Sequence, residues 1–338
     1  MRSLQISFPR PRQVELLERD VPEPGRGEVR CRALASLVST GTESFCLDGT
    51  FDPGTFWEEW VQYPFAPGYS MTSQVVDIGS DVTGIAVGDR VATSTPHQSV
   101  FIVPATECVV VPDAVTSEQA CWASLACTTQ LGVRRAELKL GESAAVVGLG
   151  VLGQLVVQYL RLSGARHIIA IEPGRSRASL ARDGGATEVI TAQVGVAMNQ
   201  VREITGGAMV DVAFDITGHA DVLAPTTRLV HQLGRVVLLG DTPTPSRQQL
   251  GPRIVADSVS ILGVHASAAP ETASLGDPWT LPAMTSLFFD WVSSGRMDVD
   301  SLVTHRFVPG QAAEVYESLR TDRSSFLGTI LDWTQVAT

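Results

Sequence analysis

The run Gly148-Leu-Gly150-Val-Leu-Gly153 follows the apolar segment Ala144–Val147 and opens the amphipathic stretch Val151–Leu162. Three glycines at this spacing occur by chance in many chains. A strand before them and a helix after them turn the pattern into a dinucleotide-binding fingerprint. Gly148 makes the tight turn, Gly150 lets the backbone approach a pyrophosphate, and Gly153 lets helix and strand pack closely. The amides of Val151, Leu152 and Gly153 then lie at a helix N-terminus, where unpaired N–H groups and the helix dipole favour phosphate. Glu172 closes the next apolar segment 19 residues past Gly153, near the ~20-residue spacing at which an acid reaches a ribose hydroxyl. That acid repels a 2′-phosphate, so NAD is the expected cofactor and NADP the less favoured one. Arg175 and Arg177 weigh the other way, either as partners of a 2′-phosphate or simply as solvated residues on the next helix.

Around this motif apolar strands alternate with amphipathic helices. The strands are expected at 144–147, 167–171, 188–190, 210–216, 235–239 and 259–264, and the helices at 151–162, 176–183, 194–204 and 220–233. Near-continuous apolar strands alternating with helices predict a doubly wound parallel sheet covered on both faces. The first third reads differently. Short β-like runs at 28–34, 73–78, 90–92, 100–103 and 108–111 are separated by Pro22-Glu-Pro-Gly25, Pro67-Gly68, Gly88-Asp89 and Pro112-Asp113, the texture of a small barrel-like β domain. A helix at 281–294 precedes further β-like runs at 302–307 and 327–331. For 338 residues two domains are expected: a β domain over 1–120, completed by 295–338, and a dinucleotide domain over 121–294.

A net charge of −11 argues against nucleic acid or an anionic membrane as partner, because both select a basic face. No apolar run reaches the ~18 residues of a membrane span, and the first residues carry no apolar signal segment, so a cytoplasmic protein is expected. The five cysteines are an odd number without any C-x-x-C pair, which excludes a closely spaced four-cysteine zinc site and suits five small buried hydrophobes.

The order of these features, with Gly68-Tyr-Ser, Val87-Gly-Asp-Arg-Val91, Asp215-Ile-Thr-Gly218, Leu239-Gly240, Gly295-Arg-Met and Thr304-His-Arg306, resembles the medium-chain dehydrogenase/reductase superfamily along nearly the whole chain. The resemblance implies a GroES-like β-barrel catalytic domain and a Rossmann domain with an active-site cleft between them, and a homodimer or tetramer built through the Rossmann sheets. It implies Thr217 and Gly240 as further cofactor contacts. Thr128 or Thr129, on the helix entering the second domain, is expected either to contact the nicotinamide or to be a helix-buried threonine. Zinc-dependent members of the superfamily hold their catalytic metal with a cysteine of Cys-Gly-Ser/Thr-Asp, the histidine of Gly-His-Glu, and a later Cys or Glu. Here Thr40 stands in the first motif, Tyr69 in the second, and the third position falls near Ala123. Zinc takes Cys, His or carboxylate ligands, so no zinc is expected. Ser39-Thr-Gly-Thr-Glu43 further resembles a branch with bacteriochlorophyllide-type and antibiotic-sugar or aminocyclitol dehydrogenases.

Without a Lewis acid, an O–H or N–H group must handle the alcohol proton or polarise the carbonyl oxygen. Tyr69 is the first candidate; by the resemblance Thr42 stands at the family's relay hydroxyl beside the nicotinamide, and Glu43 at the acid behind the metal site, as a base or the orienter of Tyr69. Ser39, Thr40 and Ser70 are expected to hydrogen-bond a polar substrate, and His97 and Trp57 to line its pocket. The competing roles are equally physical: Tyr69 as filler of the vacated metal cavity, Glu43 as a structural carboxylate, Thr42 as a helix cap. His97 and His265 are further candidate bases. The expectation is a zinc-independent, NAD-linked dehydrogenase of a secondary alcohol on a polar cyclic small molecule. The alternatives are an NADPH-dependent reductase of quinones or enones and a dinucleotide-binding protein without turnover.

Overall fold

The computed structural model describes residues 1–336. The chain forms two compact units, one of residues 1–50, 56–125 and 281 onward, the other of residues 51–55 and 126–280. The first divide falls between Leu125 and Ala126. The second divide falls at 280/281 rather than 294, because the helix Leu281–Ser293 buries Met284, Phe288, Phe289 and Val292 and packs beside the strand Val109–Val110 of the first unit. The short segment 51–55 joins the second unit through main-chain and side-chain bonds: the Asp52 amide donates to the Pro243 carbonyl, and the Ser246 amide to Asp52 Oδ2.

The second unit is a six-stranded sheet in the order Glu188–Ile190, His167–Ile171, Ser143–Val147, Val210–Asp215, Val230–Leu238, Ser260–Gly263. Every neighbouring pair is parallel. In chain order this is 3-2-1-4-5-6, the doubly wound dinucleotide-binding arrangement. Its strands read as continuous apolar runs because both faces are covered: Ala145, Val147, Ile169, Ile171, Ala213 and Val236 share one core with Ala197 and Val201 of the helix Val194–Ile204. The order reverses between Ser143–Val147 and Val210–Asp215, and the crevice at the carboxyl ends of those two strands is where such sheets take ligands.

One expected helix is not formed. The segment 220–233 holds a 3₁₀ turn at Ala220–Val222 and one helical turn at Leu223–Thr226, and the next strand already begins at Val230. Pro225 has no amide to continue a helix, and Val210 pairs with Val230 before a bulge shifts the register to Val212–Arg235.

The first unit is a mixed sheet in the order Val303–Phe307, Gly328–Asp332, Glu28–Val38, Met71–Ile78, Arg90–Thr93, Val109–Val110, with Val100–Pro104 also pairing Glu28–Val38. A separate hairpin, Arg2–Ser7 with Glu15–Asp20, was not foreseen in the sequence. The long strand Glu28–Val38 is the organiser, because three other strands hydrogen-bond to different parts of it. It delivers the chain directly into the turn Ser39–Gly41 and the short helix Thr42–Asp48. Among the described residues no helix is long and apolar enough to cross a membrane.

Candidate functional site

In the dinucleotide unit the three glycines meet three different surroundings. Gly148 has φ +90°, and a Cβ there would press on Thr217 Cγ2 at 2.8 Å. A Cβ on Gly153 would run into the Gly148 carbonyl oxygen, so helix and turn are in backbone contact. A Cβ on Gly150 would meet nothing within 4 Å. The closeness at Gly148 and Gly153 is structural, whereas the space over Gly150 is what an approaching pyrophosphate needs. The helix Val151–Leu162 starts at Gly150 with no side-chain cap, which leaves its first amides to an external acceptor. Val151 and Gly153 are buried beneath that opening, with Leu152 half-buried between them. These residues fit a dinucleotide.

Glu172 is buried and occupied. Its Oε2 accepts from the Leu149 amide at 2.9 Å and its Oε1 from the Gly174 amide at 3.0 Å. The acid therefore ties the end of its own strand to the glycine turn. Arg177 is half-buried, and its carbonyl takes the Gln154 amide group at 2.8 Å; Arg175 is exposed.

Thr217 sits over the same turn, its Oγ1 donating to Asp215 Oδ1 at 2.8 Å. Burial pushes the Asp215 carboxyl up to about 6, against the lowering effect of its Thr217 bonds. Gly240 permits a main-chain approach, since a Cβ there would lie 2.5 Å from the Gly218 amide nitrogen. Thr129 is wholly buried and turns its hydroxyl onto the Ala126 carbonyl of its own helix; this corrects the expectation that it faces a nicotinamide.

In the β unit the turn after Val38 gathers several of the expected polar residues. The Tyr69 hydroxyl donates to Ser39 Oγ at 2.7 Å and stands 3.2 Å from Thr42 Oγ1. Its phenol is pushed up to about 12 by burial and by the nearby Glu43 charge, against the lowering effect of the Ser39 and Thr42 bonds. Thr40 is buried, and its carbonyl accepts the Ser44 hydroxyl at 2.6 Å. Ser70 is buried with its hydroxyl unbonded in the structure.

Glu43 lies beneath this turn and is not bonded to Tyr69. Its Oε1 accepts from the Ser39 amide at 2.7 Å, its Oε2 from the Tyr316 hydroxyl at 2.5 Å, and His97 Nε2 stands 3.2 Å from Oε2. With three donors on a carboxylate that is 1% exposed, Glu43 is a structural acceptor rather than a free base.

Two expected substrate contacts are corrected. His97 is 0% exposed, its ring closed between Glu43 and Ser36 Oγ at 2.8 Å. Trp57 is buried edge-on against Phe45, with ring centroids 5.6 Å apart. His265 is exposed and accepts the Ser267 amide in a local turn.

Tyr316, Ser36 and Trp333 were missed in the sequence. Tyr316 lies 273 residues from Glu43, on an amphipathic helix whose apolar face reads as ordinary core.

The donor set does not fit zinc. At the positions that the resemblance assigns to the metal ligands of zinc-dependent members stand Thr40 and Tyr69, and the third falls near Ala123, which is buried. The adjacent carboxylate, Glu43, is already engaged. Among the described residues no group of three or more His, Cys, Asp or Glu could hold a metal ion.

Residues 151–276 match the family described as zinc-binding dehydrogenase. The chain is 27% identical to L-threonine 3-dehydrogenase of Pyrococcus furiosus over 92% of its length and 93% of that protein. It is 28% identical to D-guloside 3-dehydrogenase of Escherichia coli K12 over 64% of its length and 68% of that protein. The crystal structure of a quinone oxidoreductase from Pseudomonas syringae superposes with a TM-score of 0.79 at 26% identity, covering 98% of this chain and 99% of that one.

Proposed function

The chain belongs to the medium-chain dehydrogenase/reductases of the zinc-type alcohol dehydrogenase kind, and from that premise we propose that it oxidises a secondary alcohol of a polar, cyclic, sugar- or cyclitol-like molecule, with NAD and without zinc. The observation that carries the reading is the Tyr69 hydroxyl within hydrogen-bond reach of Ser39 Oγ and Thr42 Oγ1, at the place where zinc-dependent relatives keep a metal ligand. The first amides of the helix after Gly150 would hold a nicotinamide dinucleotide, which would supply the hydride acceptor.

The rest falls to the protein. Tyr69 holds a proton throughout the neutral range and can turn it from Ser39 to an alcohol or carbonyl oxygen, with the Ser39 and Thr42 hydroxyls then donating to the phenol oxygen. When the alcohol is oxidised its proton passes to the Tyr69 oxygen as the phenol's own proton shifts through Ser39 or Thr42 to solvent water, Thr42 being only half-buried. In the reverse direction the same O–H polarises the carbonyl, the role that a Lewis acid otherwise performs. Glu172, opposed to a 2′-phosphate, supports NAD. The relatives named as threonine and guloside dehydrogenases support an alcohol on a functionalised polar molecule.

The second reading is reduction of a quinone with NADPH. It is favoured by the likeness to the Pseudomonas quinone oxidoreductase and by Arg177 beside Glu172.

The test is calorimetric titration of the protein with NAD, NADH, NADP and NADPH, with bound zinc assayed on the same sample, followed by a panel of sugar and cyclitol alcohols. NAD or NADH binding at micromolar strength without stoichiometric zinc, and NAD reduction by a member of the panel, is the expected result. Stoichiometric zinc would overturn the metal-free reading, a clear NADPH preference would move the assignment to the reductase, and tight binding with no turnover of alcohols or quinones would leave a dinucleotide-binding protein.

A further inference from the structure

Beneath the Tyr69 turn runs a chain of buried polar groups that the proposed reaction does not itself use. Trp333 Nε1 donates to Ser36 Oγ at 2.8 Å, Ser36 Oγ faces His97 Nδ1 at 2.8 Å, and His97 Nε2 faces Glu43 Oε2 at 3.2 Å. The Tyr316 hydroxyl and the Ser39 amide complete the set of donors on Glu43. With a neutral imidazole one polarity satisfies every member. An indole N–H can only donate, so Ser36 accepts from Trp333, and a carboxylate can only accept, so His97 carries its proton on Nε2 and donates to Glu43. Its bare Nδ1 then accepts from the Ser36 hydroxyl. Nothing in this chain is left over for a substrate, and all five side chains are buried.

The same imidazole also lies against Gly68, the residue before Tyr69. Gly68 has φ +97°, and a Cβ there would lie 2.6 Å from the His97 ring; the His97 amide donates to the Pro67 carbonyl at 2.8 Å. His97 therefore fixes the main chain immediately before Tyr69. Through Glu43 it also fixes the backbone of Ser39, whose hydroxyl receives the phenol.

We propose that His97 and Tyr316 are positioning residues that hold the Tyr69 hydroxyl through Glu43 and Ser39, so that the C-terminal segment sets the geometry of the site. The proposal rests on the reading of Tyr69 as the proton-handling group. It explains why the helix Ala312–Thr321 and the residue Trp333 are tied by hydrogen bonds to Glu43 and Ser36, on either side of the turn and 273 and 297 positions earlier. A phenol held by two hydroxyls needs those hydroxyls held in turn, because loss of orientation is a loss of rate.

The chain contains four tyrosines, so incorporation of 3-fluorotyrosine gives four ¹⁹F resonances, with Tyr69 assigned by Tyr69→Phe. Fluorination also brings the phenol titration to a lower, accessible pH. Tyr316→Phe is expected to displace the Tyr69 resonance while those of Tyr63 and Tyr159 stay in place. Glu43→Gln is expected to lower the Tyr69 titration midpoint by about one pH unit, as removal of a nearby negative charge does. His97→Gln, which keeps an N–H for Glu43, should remain nearer the wild type than His97→Leu.

An unmoved Tyr69 resonance and midpoint in Tyr316→Phe, Glu43→Gln and His97→Leu alike, with melting temperature alone reduced, would overturn the proposal and leave a packing role. If His97→Leu disturbs all four resonances by unfolding the turn, Tyr316→Phe, which removes one oxygen, decides. Failure of the underlying reading is separately visible: hydride transfer that survives Tyr69→Phe removes Tyr69 from the chemistry while the ¹⁹F coupling stands.

Discussion

A Cβ at Gly153 would collide with the carbonyl oxygen of Gly148, while a Cβ at Gly150, between them, would touch no heavy atom within 4 Å. Two glycines of one motif are thus required for opposite reasons, one by the protein and one by its ligand. Gly150 has φ −68° and ψ −168°, which alanine adopts without strain. Gly150→Ala is expected to leave the melting temperature within the range of neutral surface changes, about 0.5 kcal/mol, and to weaken NAD binding by about tenfold or more, or ~1.4 kcal/mol. Gly153→Ala should destabilise the free protein by about 1–3 kcal/mol through overpacking. Thermal melts and calorimetry on the two variants check this, and equal effects on stability would contradict it.

Glu172 binds two main-chain amides across the same turn. Glu172→Ala removes both acceptors, and burial leaves the Leu149 and Gly174 amides without ready replacement. The expected loss is about 1–3 kcal/mol of stability, accompanied by a fall in the preference for NAD over NADP. A denaturation curve and paired NAD and NADP titrations measure both. Unchanged stability would mean that water replaces the carboxylate without penalty.

Tyr69→Phe is expected to lower turnover by about 10²–10⁴-fold, the usual contribution of a positioned proton donor, with little change in melting temperature because the ring remains. Since burial holds the phenol up at about 12, it stays protonated below that value. Carbonyl reduction should therefore lose no activity through Tyr69 as pH rises from about 6 to about 9. A pH–rate profile in the reductive direction with a Tyr69-dependent fall inside that window would be inconsistent with a buried, proton-retaining phenol.

The glycine turn, its flanking strand and helix, and Glu172 were readable because their signals lie close together in the chain: an apolar run, three glycines and an acid at the right interval. The helix expected over 220–233 failed because its amphipathic pattern competed with Pro225 and with the early pairing of Val230 to Val210, a contact invisible to local periodicity. The cluster of Ser39, Thr42 and Tyr69 was legible from the motif likeness. The place of Glu43 was not, because its partners His97 and Tyr316 lie 54 and 273 residues away. His97 looked like a loop histidine open to substrate; only the fold reveals that the loop turns inward between Pro67 and Ser36.

Asp215 gives a prediction whose sign follows from burial. The group ends the strand Val210–Asp215, is 2% exposed, and is raised from 3.8 to about 6 by desolvation, with Thr217 bonds acting in the lowering direction. A carboxyl raised on folding holds its proton more tightly in the native state. Its contribution to stability is therefore fully present below about 4 and is lost as pH rises through about 6. A rise of that size corresponds to about 2–3 kcal/mol. Asp215→Asn keeps an oxygen for the Thr217 amide and hydroxyl and never ionises, so it should melt higher than wild type at pH 7.5. The difference should shrink toward pH 4.5, where the wild-type acid is mostly protonated. Melting curves of both proteins across that range decide the matter: a gap that stays constant with pH would show that Asp215 does not change its protonation on folding.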